Sequence, residues 1–152
     1  MLESLNLAAL YDLPIGFVIE NNQYAVSTTL AEEARETRMS SRGLAFGIPS
    51  FRADGMNPLS VQLAANKVAE LLRAGKGPAV LEVDVYRYYH HSGGLPGSAF
   101  GYRSKDEETA ARERDPISQV EREMIARGWL TDNDVESLKL GAERLMHETA
   151  AK

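Results

Sequence analysis

A length of 152 residues suits one domain with a core of ordinary size, and 43% hydrophobic with 26% charged residues is the balance of a soluble globular protein. A net charge of −5 with interspersed signs offers no basic patch for nucleic acid, and the absence of cysteine excludes a disulfide framework and a thiolate zinc site. No apolar run approaches the roughly 20 residues that span a bilayer, and the opening "MLESLNLAAL" lacks the basic segment and long apolar core of a signal peptide, so a cytoplasmic protein is expected.

Leu2, Leu5, Ala9 and Leu10 follow helical spacing, so the chain opens inside an amphipathic helix that stops near "DLP". Ile15 to Glu20 is a short apolar run of strand length and reads as a buried parallel strand. A loop follows from Asn21 to Leu30, then a polar segment, partly helical over Ala31 to Ala45 and broken by Gly43 and Gly47. "SFRADG" reads as a short strand and turn. The clearest helix starts at Asn57, a good N-cap, with Pro58 in the first helical position, and ends at Gly75. "AVLEVDVYRY" is the next strand. Glu82 and Asp84 alternate with its apolar residues, which points to a polar face or a place near the sheet edge.

After it comes the glycine-rich loop "HHSGGLPGSAFGYR". Ser104 and Glu107 form a capping-box pattern, Asp115-Pro116 restarts a helix that ends at Gly128, and Thr131 caps a last helix. Val135, Leu138, Ala142, Leu145 and Met146 share one face of that last helix. Helix, strand, helix, strand, then helices is an α/β order with a small parallel sheet of two or three strands. Ligands bind in the loops at the carboxyl ends of such strands, and both unusual loops, Asn21–Thr29 and His90–Tyr102, belong to that rim.

Two loops could carry chemistry. In "ENNQYAVST" the side-chain amide of Asn22 and the backbone carbonyl of Tyr24 are neutral oxygens two residues apart, a donor set for a hard cation such as Mg²⁺. On spacing alone a plain polar turn is the stronger reading, because amides favour turns. In "YRYYHHSGG", Arg87, His90 and His91 stand among glycines. Histidine can donate to phosphate or move a proton near neutral pH, yet a mobile loop with solvated histidines fits the residues equally well. Adjacent side chains of an extended segment point opposite ways, so at most one of the two histidines faces a site. His147 reads as a solvated helix residue and the tyrosines 86, 88 and 89 as sheet packing.

"LNLAALYDLPIGFVIENNQYAVST", "RADGMN", "GKGPAVLEVDVYRYYHHS" and "YRSKDEE" with "RDPI" resemble, in order, the alpha subunit of thiamine-diphosphate-dependent 2-oxo acid dehydrogenases, the group of the pyruvate, branched-chain 2-oxo acid and acetoin enzymes. The resemblance implies a partial thiamine-diphosphate-binding fold over 1–104 and a helical C-terminal extension over 105–152. It implies decarboxylation of a 2-oxo acid, or cleavage of acetoin, with the acyl group passed to a lipoyl partner. The cofactors implied are thiamine diphosphate and Mg²⁺. Asn22 would bind the metal through its side chain and Tyr24 through its carbonyl. Arg87 and His91 would lie at the cofactor, His91 also handling substrate. Ser92 matches a serine phosphorylated in some eukaryotic members, and Arg103 would order the loop. The partners implied are a beta subunit, which supplies the glutamate that activates the cofactor, and a lipoyl-bearing acyltransferase component.

The chain departs from the family pattern in two places. The Gly-Asp-Gly half of the cofactor motif, with its metal-binding aspartate, is absent, so the chain matches the C-terminal part of an alpha subunit. The alternative reading is therefore a catalytically inactive α/β fragment or a stand-alone interaction module, and a short sheet with an open edge favours a homo-oligomer. Second, Tyr89, His90, His91 and Ser92 stand where pyruvate-type members often have His-Gly-His-Ser, and the usual aspartate after the serine is missing. The loop thus does not fix the substrate.

Overall fold

The first helix, α1 (Leu2–Leu10), buries Leu5 and Ala8 and leaves Leu2 and Leu10 in solvent. It leads into β1 (Gly16–Asn21), a two-residue hairpin pair β2 (Tyr24–Ala25) and β3 (Thr28–Thr29), and the short helices α2 (Leu30–Glu33) and α3 (Ser41–Leu44). Then follow β4 (Ser50–Asp54), α4 (Pro58–Arg73), β5 (Ala79–Asp84), a 3₁₀ turn (Gly97–Phe100) and α5 (Lys105–Glu113). The computed structural model describes all residues, 1–152, and divides them into two units, Met1–Arg114 and Asp115–Lys152. Helix α5, grouped with the C-terminal helices in the sequence, thus belongs to the first unit. There Ser98 Oγ donates to Glu108 Oε2 at 2.6 Å and Arg112 stacks on Tyr88.

β1, β5 and β4 form a parallel sheet in that order, with Asn21 and Asp84 in register at the end of β1 and β5. Helix α4 packs on one face: Val68 sits with Ala53, Ala79, Leu81 and Val83. Its start is fixed by Asn57, whose side chain accepts from the Leu59 and Ser60 amides, and its end by Gly75 at φ +65°. The opposite face holds Leu5, Ile48 and Val80, flanked by Phe17, Ile19 and Phe46. Helix α3 approaches this face so closely that a Cβ on Gly43 would lie 2.8 Å from Val80 Cγ2.

Two strands differ from the sequence expectation. β1 is an edge strand with alternating burial, not a buried one, and Val18 is 62% exposed. Helix α4 covers β4 and β5 and reaches β1 only near Gly16, beside Val68 and Leu72. β5 lies in the centre of the sheet rather than at an edge, and Glu82 on it is wholly buried. Its alternating polarity marks an internal partner and not a wet face.

In the second unit, Asp115 caps α6 (Pro116–Ala126), accepting from the Ile117 and Ser118 amides. Gly128 turns the chain at φ +69°, and Thr131 and Asp134 close a reciprocal capping box on α7 (Asp132–Ala150). Lys139 Nζ meets Glu121 Oε2 at 2.9 Å, tying α7 to α6. Of the apolar stripe read on α7, Val135 is buried while Leu138, Leu145 and Met146 are exposed. No helix is long and apolar enough to cross a membrane.

Candidate functional site at the rim of β1 and β5

Because β1 and β5 run parallel and end in register, the loops after them leave the same edge of the sheet, where α/β proteins bind ligands. The Val85 amide donates to the Asn21 carbonyl at 3.0 Å and extends that register by one step.

The first loop turns within four residues. The Gln23 amide donates to Asn21 Oδ1 and the Tyr24 amide to Asn22 Oδ1, both at 3.0 Å. Gln23 is held at φ +66° and Val26 at φ +59°, the latter a conformation that a β-branched residue rarely adopts. Such strain persists where the surroundings over-determine the backbone. Here Arg87 Nη2, from the second loop, grips the Val26 carbonyl at 2.6 Å.

Asn21 does more than turn the chain. Its Nδ2 donates to Glu82 Oε1 at 2.7 Å, and Glu82 Oε2 accepts from the Ser40 amide at 2.8 Å and the Ser40 hydroxyl at 2.7 Å. Burial opposes the charge on Glu82, but hydrogen bonds from the Ser40 backbone, the Asn21 amide, the Ser40 hydroxyl and the Met39 backbone outweigh it. They hold the carboxyl below its ordinary pKa. In the sequence Glu82 reads only as part of a polar strand face, and Ser40 does not stand out. The available signal was a carboxylate inside a parallel strand, which demands a hydrogen-bonded partner.

The second loop is organised by Arg103, 5% exposed. Its guanidinium lies between the Tyr24 and Tyr86 rings, 4.3 Å from each centroid, and donates to the Arg87 carbonyl and, at 3.3 Å, to the Asn22 carbonyl. Arg103 thus joins the two loops. Arg87 Nη2 also donates to the Tyr102 hydroxyl at 3.0 Å, while Arg87 Nε is buried with no acceptor. The two histidines are placed differently, at the start of a turn in which the Gly93 amide donates to the His90 carbonyl at 3.4 Å. His90 stacks on Phe100 with centroids 4.0 Å apart and accepts the Ser92 amide on Nδ1; His91 is exposed. The tyrosines read as sheet packing lie beyond β5: Tyr86 stacks on Arg103, Tyr88 on Arg112, and Tyr89 is exposed.

The residues fit part of a metal–diphosphate site. Asn22 and Tyr24 bring two neutral oxygens to one turn, and the unpartnered Arg87 Nε is a donor for an anion. Asn22 Oδ1 retains a lone pair beyond the one that Tyr24 N–H occupies. The site has no cluster of three His, Cys, Asp or Glu side chains that would hold a metal unaided.

An amide turn and an arginine-stapled loop at the carboxyl rim of a parallel sheet occupy the place where α/β folds bind ligands. The model of the dehydrogenase E1 component matches residues 1–152, so the chain belongs to that family. It is 40% identical over 149 residues to the pyruvate dehydrogenase E1 component subunit alpha of Rhizobium meliloti (strain 1021), covering 97% of this chain and 42% of that protein. It is 42% identical over 127 residues to the corresponding subunit of Zymomonas mobilis, covering 83% and 35%. The testis-specific mitochondrial form of Rattus norvegicus is 34% identical over 149 residues, covering 97% and 37%. The chain therefore spans less than half the length of these curated relatives.

Proposed function

We propose that this chain is the closing half of the cofactor clamp in the alpha subunit of a thiamine-diphosphate-dependent 2-oxo acid dehydrogenase, with pyruvate the first substrate to test. The observation that carries it is the pair of loops on one rim, with Asn22 and Tyr24 on one and the unpartnered Arg87 Nε on the other. The relatives, all pyruvate dehydrogenase alpha subunits by name, support pyruvate over branched-chain acids or acetoin.

In this reading Asn22 Oδ1 and the Tyr24 carbonyl would supply two neutral oxygens to Mg²⁺, a hard cation suited to them. Arg87 Nε neutralises a diphosphate oxygen. Bound thiamine diphosphate supplies the electron sink for decarboxylation. His91, exposed beside the rim, donates a hydrogen bond to substrate and serves acyl transfer to a lipoyl group on an acyltransferase partner. A beta subunit completes the site.

Titration calorimetry with Mg²⁺ and thiamine diphosphate on the assembled enzyme tests the separate roles. Asn22→Ala is expected to weaken binding by about ten-fold or more, as loss of a metal contact does. His91→Ala should lower acyl transfer and leave cofactor affinity nearly unchanged. Equal effects of both variants on affinity would contradict the assignment. The isolated chain should bind the pair weakly, since half of the clamp is outside it; micromolar affinity would count against that.

A further inference from the structure

Glu82 is a fully buried carboxylate on the central strand, facing α1 and α3 rather than the rim. An apolar residue there would continue the Val80 side of the sheet. A buried charge is costly unless its lone pairs are filled, and a carboxylate placed in a core without a task is rare. Its partners come from two separate segments. Oε1 takes the Asn21 amide; Oε2 takes both donors of Ser40, at the entry to α3. Asn21 in turn accepts the Gln23 amide, within the turn that carries Asn22 and Tyr24 and in which Gln23 stands at φ +66°. The Asn21 side chain thus has its donor end locked by Glu82 and its acceptor end by the turn.

We propose that Glu82 is a positioning residue: acting through Asn21, it fixes the turn that presents the Asn22 side chain and the Tyr24 carbonyl, and through Ser40 it braces that turn against α3. The inference rests on the reading of Asn22 and Tyr24 as metal ligands only for its consequence, and on the Asn21–Glu82–Ser40 geometry for its cause. Fully satisfied buried networks of this kind specify one arrangement rather than adding general stability.

A charge-swap cycle tests it. Glu82→Gln keeps one acceptor oxygen, which the two Ser40 donors claim, so its NH₂ is left facing the Asn21 NH₂, two donors face to face. Asn21→Asp sets two carboxylates together. The double variant Asn21→Asp/Glu82→Gln restores one donor and one acceptor with the charge conserved. Hydrogen exchange in this 152-residue chain is the first readout. The Gln23 and Tyr24 amides should exchange about ten-fold faster in each single variant while amides of α4 stay protected, and the double variant should return them towards wild type. Unchanged Gln23 and Tyr24 exchange in Glu82→Gln would overturn the proposal. So would failure of the double variant to restore it, including the case in which all three variants lose protection throughout, which would make Glu82 a core residue alone.

The second readout is calorimetric titration of the assembled enzyme with Mg²⁺ and thiamine diphosphate. Glu82→Gln should weaken binding by about ten-fold, as loss of a residue behind a metal ligand does, and the double variant should recover most of it. A wild-type enzyme that binds neither would refute the proposed function while the exchange cycle still decides the role of Glu82.

Discussion

The guanidinium carbon of Arg103 lies 4.3 Å from the centre of the Tyr24 ring, and one of its nitrogens reaches the carbonyl of Asn22, 81 residues earlier in the chain. A residue of the glycine-rich loop thereby closes over the turn after β1. Stacked, forked recognition of this kind depends on a planar group, which lysine lacks.

Arg103→Lys should therefore cost about 2 kcal/mol, the scale of losing charged hydrogen bonds in a buried setting. The charge is kept, so the loss reports geometry. Urea unfolding gives the stability, and limited proteolysis between Tyr89 and Tyr102 gives the order of the loop. A variant as stable as wild type, with an equally resistant loop, would show that the staple is dispensable.

Glu82 makes stability depend on pH in a defined direction. Its folded-state pKa is lowered from 4.5, so the unfolded chain binds the extra proton just below that value. Stability from this group is complete above the unfolded pKa and drains away as the pH falls through the folded one. Ser40→Ala removes one charged hydrogen bond and should cost about 1.5 kcal/mol at neutral pH. The cost should shrink below pH 4.5 as Glu82 in the folded chain takes up its proton and the bond ceases to be charge-assisted. Urea titrations of both proteins across this range measure it. A cost that stays constant with pH would place the hydroxyl's contribution elsewhere.

Local rules made the helix from Pro58 and the capped starts at Ser104, Asp115 and Thr131 legible, because each rests on side chains within a few residues of the turn they satisfy. Strand β5 was legible too, but not its setting. A period of two identifies a face and does not say whether water or Asn21 waits there, since Asn21 is 61 residues away in sequence. β1 looked buried for the same reason: its apolar content is local, while the absence of α4 over Val18 is a matter of long-range packing. At the site, Asn22, Tyr24, Arg87 and His91 were candidates by residue type, with plain turns and solvated loops left open, and the roles expected of them came from family resemblance. The Arg103 stack between Tyr24 and Tyr86 and the Glu82 network depend on contacts that no spacing reveals.

Two glycines should respond in opposite directions to alanine. A Cβ on Gly55 would sit 2.5 Å from the Asp84 carbonyl oxygen and 2.7 Å from Val83 Cγ1, where backbone cannot yield easily. Gly55→Ala should destabilise the first unit by about 1–3 kcal/mol. Gly141, within α7, has nothing within 4 Å of its Cβ position. Gly141→Ala should stabilise the second unit by about 0.5–1 kcal/mol through helix propensity. Thermal unfolding followed by circular dichroism ranks the two; the same sign for both would invalidate this packing account.

The open edge of β1 and the apolar residues around it bear on association. Val18, Leu10, Tyr11 and Ile15 are exposed on or near that edge strand, and unpaired strand edges with apolar neighbours recruit other chains. The isolated chain should therefore self-associate with rising concentration, and Val18→Lys should oppose it by placing a charge on the edge. Light scattering over a concentration series reads both. A chain that stays monomeric throughout, or a Val18→Lys variant that associates as strongly, would remove the edge as the cause.

His90 and His91 are chemically identical neighbours with different placements, so their substitutions should separate. The His90 ring packs on Phe100, its Nδ1 accepts the Ser92 amide, and its own amide donates to the Leu95 carbonyl at 2.8 Å. His90→Ala removes the ring contact and the Nδ1 acceptor together, and should speed proteolytic cleavage of the Ser92–Gly101 loop several-fold, as loosening of a locally held segment does. His91 is exposed, so His91→Ala should leave that rate unchanged and the unfolding midpoint within experimental error. Its effect should appear only where chemistry is measured, in the acyl transfer proposed for the assembled enzyme. If His91→Ala loosens the loop as much as His90→Ala, the exposed histidine is holding structure, and the catalytic part assigned to it passes to another residue of the rim.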